Sequence, residues 1–471
     1  MIKSLIFIIL MISFTGCTLI PKIETRNILK TDNIQTGISE DEKLVFKGDE
    51  WWKVYNDKTL DALIKLILSE NSDLKIAWLN MEKSTEAINL VKSQEGFHLD
   101  FTGNFKRERI TKNGIEPPPL GGKIYNMSSL GLQSSYNVDI FNKFKSLSEE
   151  QRYKSEAIKI NSKWIELNIA ERTTKLYIYW KYLQEEEGNL REQREILTRI
   201  KNLYSESINI GTGIEENYLT IKNNLRVLDS IIAENKMNQD ITINNLNLLS
   251  GNKKIEEIKN LLTTDEKNME ESFEGKIKIP QSINSDVVVE RPDIKYYLML
   301  IEAQKEHLKS AKADFYPQFT INGGIGLQSL NLNTLLEKNS LLGFIGPSLY
   351  LPIFHQGSIR SNYKIAGIDL NIFIEEYNKA VINAYNEIGN EIYTVKTLEN
   401  SLLNSDINIL NEEKILNENK KRLNIGTISE YNYLLDRYNF MNKDLLNKQE
   451  HFKFYIQQLD FIKAVGGVYK K

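Results

Sequence analysis

Two periods of hydrophobic residues alternate along the chain, and each predicts an element. From about Lys145 to Asn209 apolar side chains recur at helical spacing, with no proline and one glycine, Gly188. That predicts an uninterrupted helix on the order of 100 Å long at ~1.5 Å per residue. Its narrow apolar seam and charged remaining face suit a coiled coil better than a compact core. Elsewhere the period falls to two. Phe97, Leu99, Phe101 and Phe105 alternate with His98, Asp100, Thr102, Asn104 and Lys106. Leu130, Leu132, Tyr136 and Val138 oppose Gly131, Gln133, Ser135 and Asn137, and Phe319, Ile321, Ile325 and Leu327 oppose Thr320, Asn322, Gln328 and two glycines. A fourth segment, around 344–353, alternates less cleanly. Strands of this length with one apolar face fit a membrane β-barrel, but a soluble sandwich with one wet face has the same pattern. Four strands cannot close a barrel, whereas three chains would supply twelve, so the barrel reading predicts a homotrimer.

The same order of elements occurs twice. Asn209–Leu219 (NIGTGIEENYL) and Asn424–Leu434 (NIGTISEYNYL) share eight of eleven residues at an offset of 215. Shorter matches keep the order: Ser72–Lys75 with Pro292–Lys295, Phe97–Thr102 with Phe315–Thr320, and Asp139–Phe141 with Pro352–Phe354. Each half reads helix, two strands, long helix, turn, helix. Gly211 and Gly426 fall where the long helices stop, with Gly213 just beyond the first, and a left-handed residue there would let the chain reverse. Asn217 and Tyr218, like Asn432 and Tyr433, then begin the returning helices.

Composition narrows the function. The 60 basic and 63 acidic residues leave a net charge of −3, so no basic patch for nucleic acid is expected. Mean hydropathy is −0.38, and no run of 18 apolar residues follows residue 20, which argues against membrane-spanning helices. His98, His307, His355 and His451 are scattered, the one cysteine excludes a disulfide framework, and no nucleophile-elbow, P-loop or HExxH motif occurs. An enzyme, a metal site and a cofactor are therefore not expected.

That cysteine follows Lys3, the apolar run Leu5–Ile12 and the small residues before Gly16. Residues 1–16 read as a signal peptide, too short to span a bilayer. Gly16-Cys17 resembles a bacterial lipobox, with Phe14 where leucine is usual; an ordinary signal peptide with an incidental cysteine is the alternative. An acylated Cys17 would be held by about 0.8 kcal/mol per buried CH₂. Thr18 takes the place of an inner-membrane retention Asp, which points to the outer membrane of a Gram-negative cell.

Several further segments resemble the outer-membrane factor family of TolC-like channels, and more closely its lipidated OprM or NodT-type branch. Trp51–Asp57 with Leu60, Leu63, Asn71 and Leu74 matches the family's opening segment, and Ser135–Phe141 its "SYELDLFG", with Asn142 in place of the glycine. Glu290–Ile294 matches "RRPDI", Ala311–Pro317 "AKAxFFP", and Gly346–Phe354 with Gly357 "GPSLxxPIFxxG". The resemblance implies an α+β membrane protein: a trimer with a twelve-stranded outer-membrane barrel continued by a helical periplasmic canal. It divides the chain into a lipidated segment (17–50), a first repeat (51–250), an equatorial linker (251–290), a second repeat (291–465) and a tail (466–471). The helical turns would close the periplasmic entrance. Tyr431–Asp436 aligns with the branch's "YLxLLD", which places Asn432 at the constriction, flanked by Tyr431 and Tyr433, with Asp436 in an acidic ring. Asn217 is its counterpart in the first repeat. An amide-lined entrance would be less cation-selective than a carboxylate one; alternatively, Asn217 and Asn432 cap the turn or face solvent. Ile428 stands where TolC has its inter-helix arginine latch, so no such latch is expected. The implied function is passive conduction in tripartite efflux, with a periplasmic adaptor, an inner-membrane pump of the RND type and outer-membrane lipid as partners. A type I secretion duct and a non-conducting coiled-coil scaffold lipoprotein are the competing readings.

Overall fold

The alternating segments pair into one antiparallel sheet in the order β1 (Phe97–Arg109), β2 (Ile124–Val138), β3 (Gln318–Ser329) and β4 (Leu341–Tyr350). The computed structural model describes residues 20–29, 50–115, 119, 121–265, 267–275, 277 and 286–467. It divides into two compact units, and the sheet belongs to the one built from the described part of Met1–Ile28 with Asn80–Ile158 and Tyr296–Tyr377. β2 and β3 come from different repeats yet pair directly, Tyr136 opposite Ile321 and Leu132 opposite Ile325. The register aligns Phe97, Tyr136, Ile321 and Pro347 in one row and Phe101, Leu132, Ile325 and Gly343 in another. This apolar face is open, with Phe101 70% and Ile345 84% exposed. β1 and β4 each pair on one side only among the described residues, which leaves two free edges.

β4 departs from strict alternation for a local reason. Leu342 and Phe344 sit on the otherwise polar face, opposite Gly326 and Gly324. The Phe344 ring covers Gly324, where a Cβ would come within 2.7 Å of Phe344 Cε1. An aromatic side chain thus shields backbone that its cross-strand glycine leaves bare.

The strand ends explain two of the sequence motifs. Asn142, standing where the family has glycine, takes φ 57°, a left-handed conformation that asparagine tolerates. The Asp139 carboxylate accepts from Lys143 N at 2.7 Å and Lys145 N at 2.9 Å, satisfying amides at the start of the following helix. Phe141 stacks on Tyr316 at 4.7 Å, and Lys143 pairs with Asp314 at 2.8 Å, so the motif ending β2 clasps the one preceding β3.

In chain order the helices are α1 (Lys58–Glu70), α2 (Ser72–Glu95), α3 (Lys143–Asn209), α4 (Glu215–Leu249), α5 (Ile255–Thr263), α6 (Met269–Phe273), α7 (Asp286–Glu290), α8 (Pro292–Ala313), α9 (Ser358–Asn424) and α10 (Glu430–Ala464). The duplication extends to length: α3 and α9 have 67 residues each, α4 and α10 have 35 each. Among the described residues no helix is long and apolar enough to cross a membrane.

The second unit comprises the described parts of Leu29–Leu79, Lys159–Lys295 and Asn378–Lys471. Its core gathers the tight turn Trp51–Tyr55 and the buried face of α1 (Leu60, Leu63, Ile64, Ile67) with Phe273, Tyr177 and Tyr455. Tyr55 meets Phe273 edge-on at 4.8 Å. Asp57 caps α1 by accepting from Leu60 N at 3.0 Å, and it also receives the Tyr177 hydroxyl at 2.9 Å. Asn71 accepts from Leu74 N and donates to Leu249 O at 2.8 Å, which accounts for the Asn of the opening motif. The 251–290 stretch adds buried Ile258, Leu262, Met269 and Phe273, and its Asp265 forms a 2.6 Å ion pair with Lys181 inside the unit.

Arg291, from the Glu290–Ile294 motif, ties three elements together. Its guanidinium forks onto Asp293 (3.0 and 2.9 Å) and donates to Glu387 at 2.7 Å and to the Ala464 carbonyl at the end of α10 at 2.6 Å. Burial works against its charge, and the two carboxylates outweigh that, raising its pKa further.

Candidate functional site

The two helical turns are built alike. Gly211 (φ 77°) and Gly426 (φ 75°) take the left-handed conformation anticipated for them. Thr212 N donates to Ser207 O and Thr427 N to Arg422 O, both at 2.9 Å, and each threonine hydroxyl bonds the same carbonyl. Five-residue closures of this kind satisfy carbonyls orphaned at a helix end, and they explain why Gly-Thr recurs in both repeats. Gly213 is required by space: a Cβ there would lie 2.5 Å from Ser207 Oγ and 2.6 Å from Ile208 N.

The returning helices start differently. α10 is capped by Ser429, whose hydroxyl accepts from Asn432 N at 3.1 Å. α4 follows Ile214 with no side-chain cap and relies on Glu215 and Glu216 in its first turn. Neither Asn217 nor Asn432 is a cap. Both are exposed, in the first turn of their helices. Tyr433 is half-buried, and so is Tyr431, whose ring meets Tyr204 edge-on at 5.3 Å. Burial, together with the Tyr431 hydroxyl beside it, pushes the Tyr204 hydroxyl up to about 12. Asp436 is half-buried and accepts from Asn419 Nδ2 at 2.9 Å, so its charge is tied to α9. Cys17 lies outside the described residues.

Below the turns an apolar cluster of Leu190, Ile196, Leu197, Ile200, Leu228, Leu434 and Met441 joins α3, α4 and α10. Two ion pairs absent from the sequence reading flank it. Arg199 forks onto Glu430, Nε to Oε1 at 2.7 Å and Nη2 to Oε2 at 2.9 Å, and holds that carboxyl below its usual range. Arg437 pairs with Glu192. α3 and α10 are thus cross-linked by two arginines. These pairs span 231 and 245 residues, so no local spacing signals them.

An open sheet with one apolar face, joined to duplicated long helical hairpins closed by matched turns, defines the protomer of a barrel-and-tunnel channel. The model of the outer membrane efflux protein family matches residues 63–252 and 284–437, and the chain belongs to that family. Among its relatives, the multidrug resistance outer membrane protein MdtP of Escherichia coli (strain K12) is 25% identical over 389 residues, covering 80% of this chain and 78% of that one. Protein MdtQ of the same name type from Escherichia coli O6:H1 is 24% identical over 414 residues, covering 83% and 82%. Solved structures share the fold: the Campylobacter jejuni CmeC outer membrane channel (TM-score 0.77, 23% identity, 96% and 94% covered) and the open-state MtrE outer membrane channel of Neisseria gonorrhoeae (0.74, 19%, 96% and 98%).

Proposed function

We propose that three copies of this chain form an outer-membrane efflux channel, with four strands from each closing a twelve-stranded barrel. The observation that carries this reading is the sheet itself. Among the described residues, the 70%-exposed Phe101 and its apolar row have no cover, and both sheet edges are unpaired. Lipid would cover the face, and neighbouring protomers would pair the edges. Long antiparallel hairpins would continue the barrel as a periplasmic canal. Conduction is passive; an inner-membrane pump, of the RND type, supplies the energy, and an adaptor docks at the turns. Ile210 and Ile425, repeat-equivalent and more than 70% exposed, supply an apolar knob on each turn for that contact. The multidrug resistance names of MdtP and MdtQ favour drugs as cargo.

At the entrance, Asn217 and Asn432 line the constriction with amides, flanked by Tyr431 and Tyr433, and Asp436 adds a carboxylate ring tempered by Asn419. Gly211, Gly213 and Gly426 shape the turns. Opening separates α10 from α3, a biased two-state step in which Arg199–Glu430 and Arg437–Glu192 part. Cys17 carries a covalent lipid that tethers the chain to the outer membrane of a Gram-negative cell. Purified protein should run as a trimer in mild detergent and conduct ions in planar bilayers. A monomer, or no conductance even after Asn432 and Asp436 are both replaced by Ala, would sink the channel.

A further inference from the structure

The face of the sheet that carries Phe101 is apolar or small and polar over all four strands, and it bears two charges, Arg107 and Arg109, both at the end of β1. Strand alternation puts them in line with Phe97, Leu99, Phe101 and Phe105. Both are exposed, and neither has an ion pair or hydrogen bond among the described residues. Their cross-strand partners on β2 are Asn126 and Ile124, so no carboxylate stands opposite. The other face of the same stretch is built differently: there Lys106 pairs with Glu108 at 2.8 Å. Lys112 and Lys123, at the β1–β2 connection, add two cations without a carboxylate partner among the described residues.

We propose that Arg107 and Arg109 bind the phosphates of lipid A, the phosphorylated glycolipid of the outer leaflet. The proposal rests on the barrel reading above, in which the Phe101 face meets lipid and the helices lie in the periplasm. β1 begins at Phe97, just after α2, and Arg107 follows ten residues later, about 34 Å along the strand at ~3.4 Å per residue. Barrel strands tilt by about 40°, so the rise is about 26 Å, which matches an apolar band about 25 Å tall. Arg107 therefore stands where the band ends, on the side away from the helices, and Arg109 lies about 5 Å beyond it. A lipid-facing arginine is costly at mid-membrane and nearly free at the interface, so this is the height at which the pair can stand. The outer leaflet of a Gram-negative cell presents phosphates at that level, and they supply the counter-charge that the sheet withholds. A guanidinium forks onto phosphate oxygens, a geometry that an ammonium lacks.

The test uses detergent-purified full-length protein titrated with diphosphoryl lipid A and read by native mass spectrometry. Wild type is compared with the double variant Arg107→Gln/Arg109→Gln and with Lys106→Gln. Each arginine at a lipid surface contributes about fivefold, so the double variant should bind about 30-fold more weakly, while Lys106→Gln binds as wild type. Arg107→Lys/Arg109→Lys keeps the charge and loses the fork, and should fall between the two. Lipid A stripped of its phosphates should bind wild type no better than the double variant. Equal binding of diphosphoryl lipid A by wild type and double variant overturns the proposal, as does an equal loss in Lys106→Gln. Displacement of lipid A by inorganic phosphate at the same concentration would make this a site for the free ion and refute the lipid. Loss of trimer by the double variant before any lipid A is added would assign the arginines to a neighbouring protomer instead. A wild type that is monomeric and binds no lipid A defeats the barrel reading and the lipid site with it. A conducting wild-type trimer that binds lipid A no more tightly than its double variant defeats the lipid site alone.

Discussion

Replacing Arg291 by Ala should produce the largest single-site loss of stability in the second unit. The side chain is 4% exposed, whereas its partners Asp293 and Glu387 are 27% and 39% exposed. Removing one member of a buried ion pair costs about 3–5 kcal/mol, because the remaining charge is left uncompensated. Here both carboxylates keep some water, which places the cost near the lower end, about 3 kcal/mol. The Ala464 carbonyl also loses its guanidinium donor, and the contact over Trp164 disappears. For a unit of this size that cost should lower the thermal midpoint by about 5 °C, followed by circular dichroism at 222 nm on detergent-purified protein. Arg291→Lys keeps the charge but cannot fork onto Asp293 while reaching Glu387 and Ala464, so an intermediate loss is expected. The double variant with Glu387→Ala should lose less than the sum of the single losses. A midpoint within about 1 °C of wild type for Arg291→Ala, or strict additivity in the cycle, would refute this account.

Neutralising the cross-hairpin pairs (Arg199→Ala with Arg437→Ala) should raise open probability in planar bilayers; because the pairs are exposed, higher salt should move the wild type the same way. Unchanged gating would remove them from the opening step. The Glu150 hydrogen bond raises the His307 pKa above 6.5, so the pair's stabilisation is complete below pH 6.5 and is lost as pH rises through the higher folded value. The thermal midpoint difference between wild type and His307→Gln should therefore be greatest near pH 5.5 and shrink toward pH 8, though small throughout because His307 is 43% exposed. Gly326→Ala should abolish assembled trimer on semi-native gels, since its Cβ would meet Leu130 O at 2.4 Å and Gly131 Cα at 2.8 Å, both backbone atoms of the paired strand.

Periodic features were legible in the sequence because periodicity is local. The span of α3, the three cleanly alternating strands and the left-handed Gly211 and Gly426 all follow from residues a few positions apart. β4 was blurred because Phe344 answers to Gly324 across the sheet, not to its own neighbours. Trp51, Trp52 and Tyr55 were recognisable as a motif, but the packing of Tyr55 against Phe273 depends on chain more than two hundred residues away. The short helices of 251–290 were missed for the same reason, since only burial of Phe273 and Met269 makes sense of them. At the turns, the exposure of Asn217 and Asn432 fits their spacing from the glycines. The engagement of Asp436 by Asn419 and of Glu430 by Arg199 had no sequence signal, because each is a meeting of two helices.

The equal lengths of α3 and α9, and of α4 and α10, carry a consequence for stoichiometry. In the proposed trimer, three chains with two matched hairpins each would present six turns in a ring of nearly sixfold symmetry. The turns are not identical, however: one reads Gly-Thr-Gly-Ile and leaves α4 uncapped, the other Gly-Thr-Ile-Ser and caps α10 with Ser429. A ring of six identical partner subunits would therefore meet two alternating kinds of seat, and it could grip three of them more tightly than the other three.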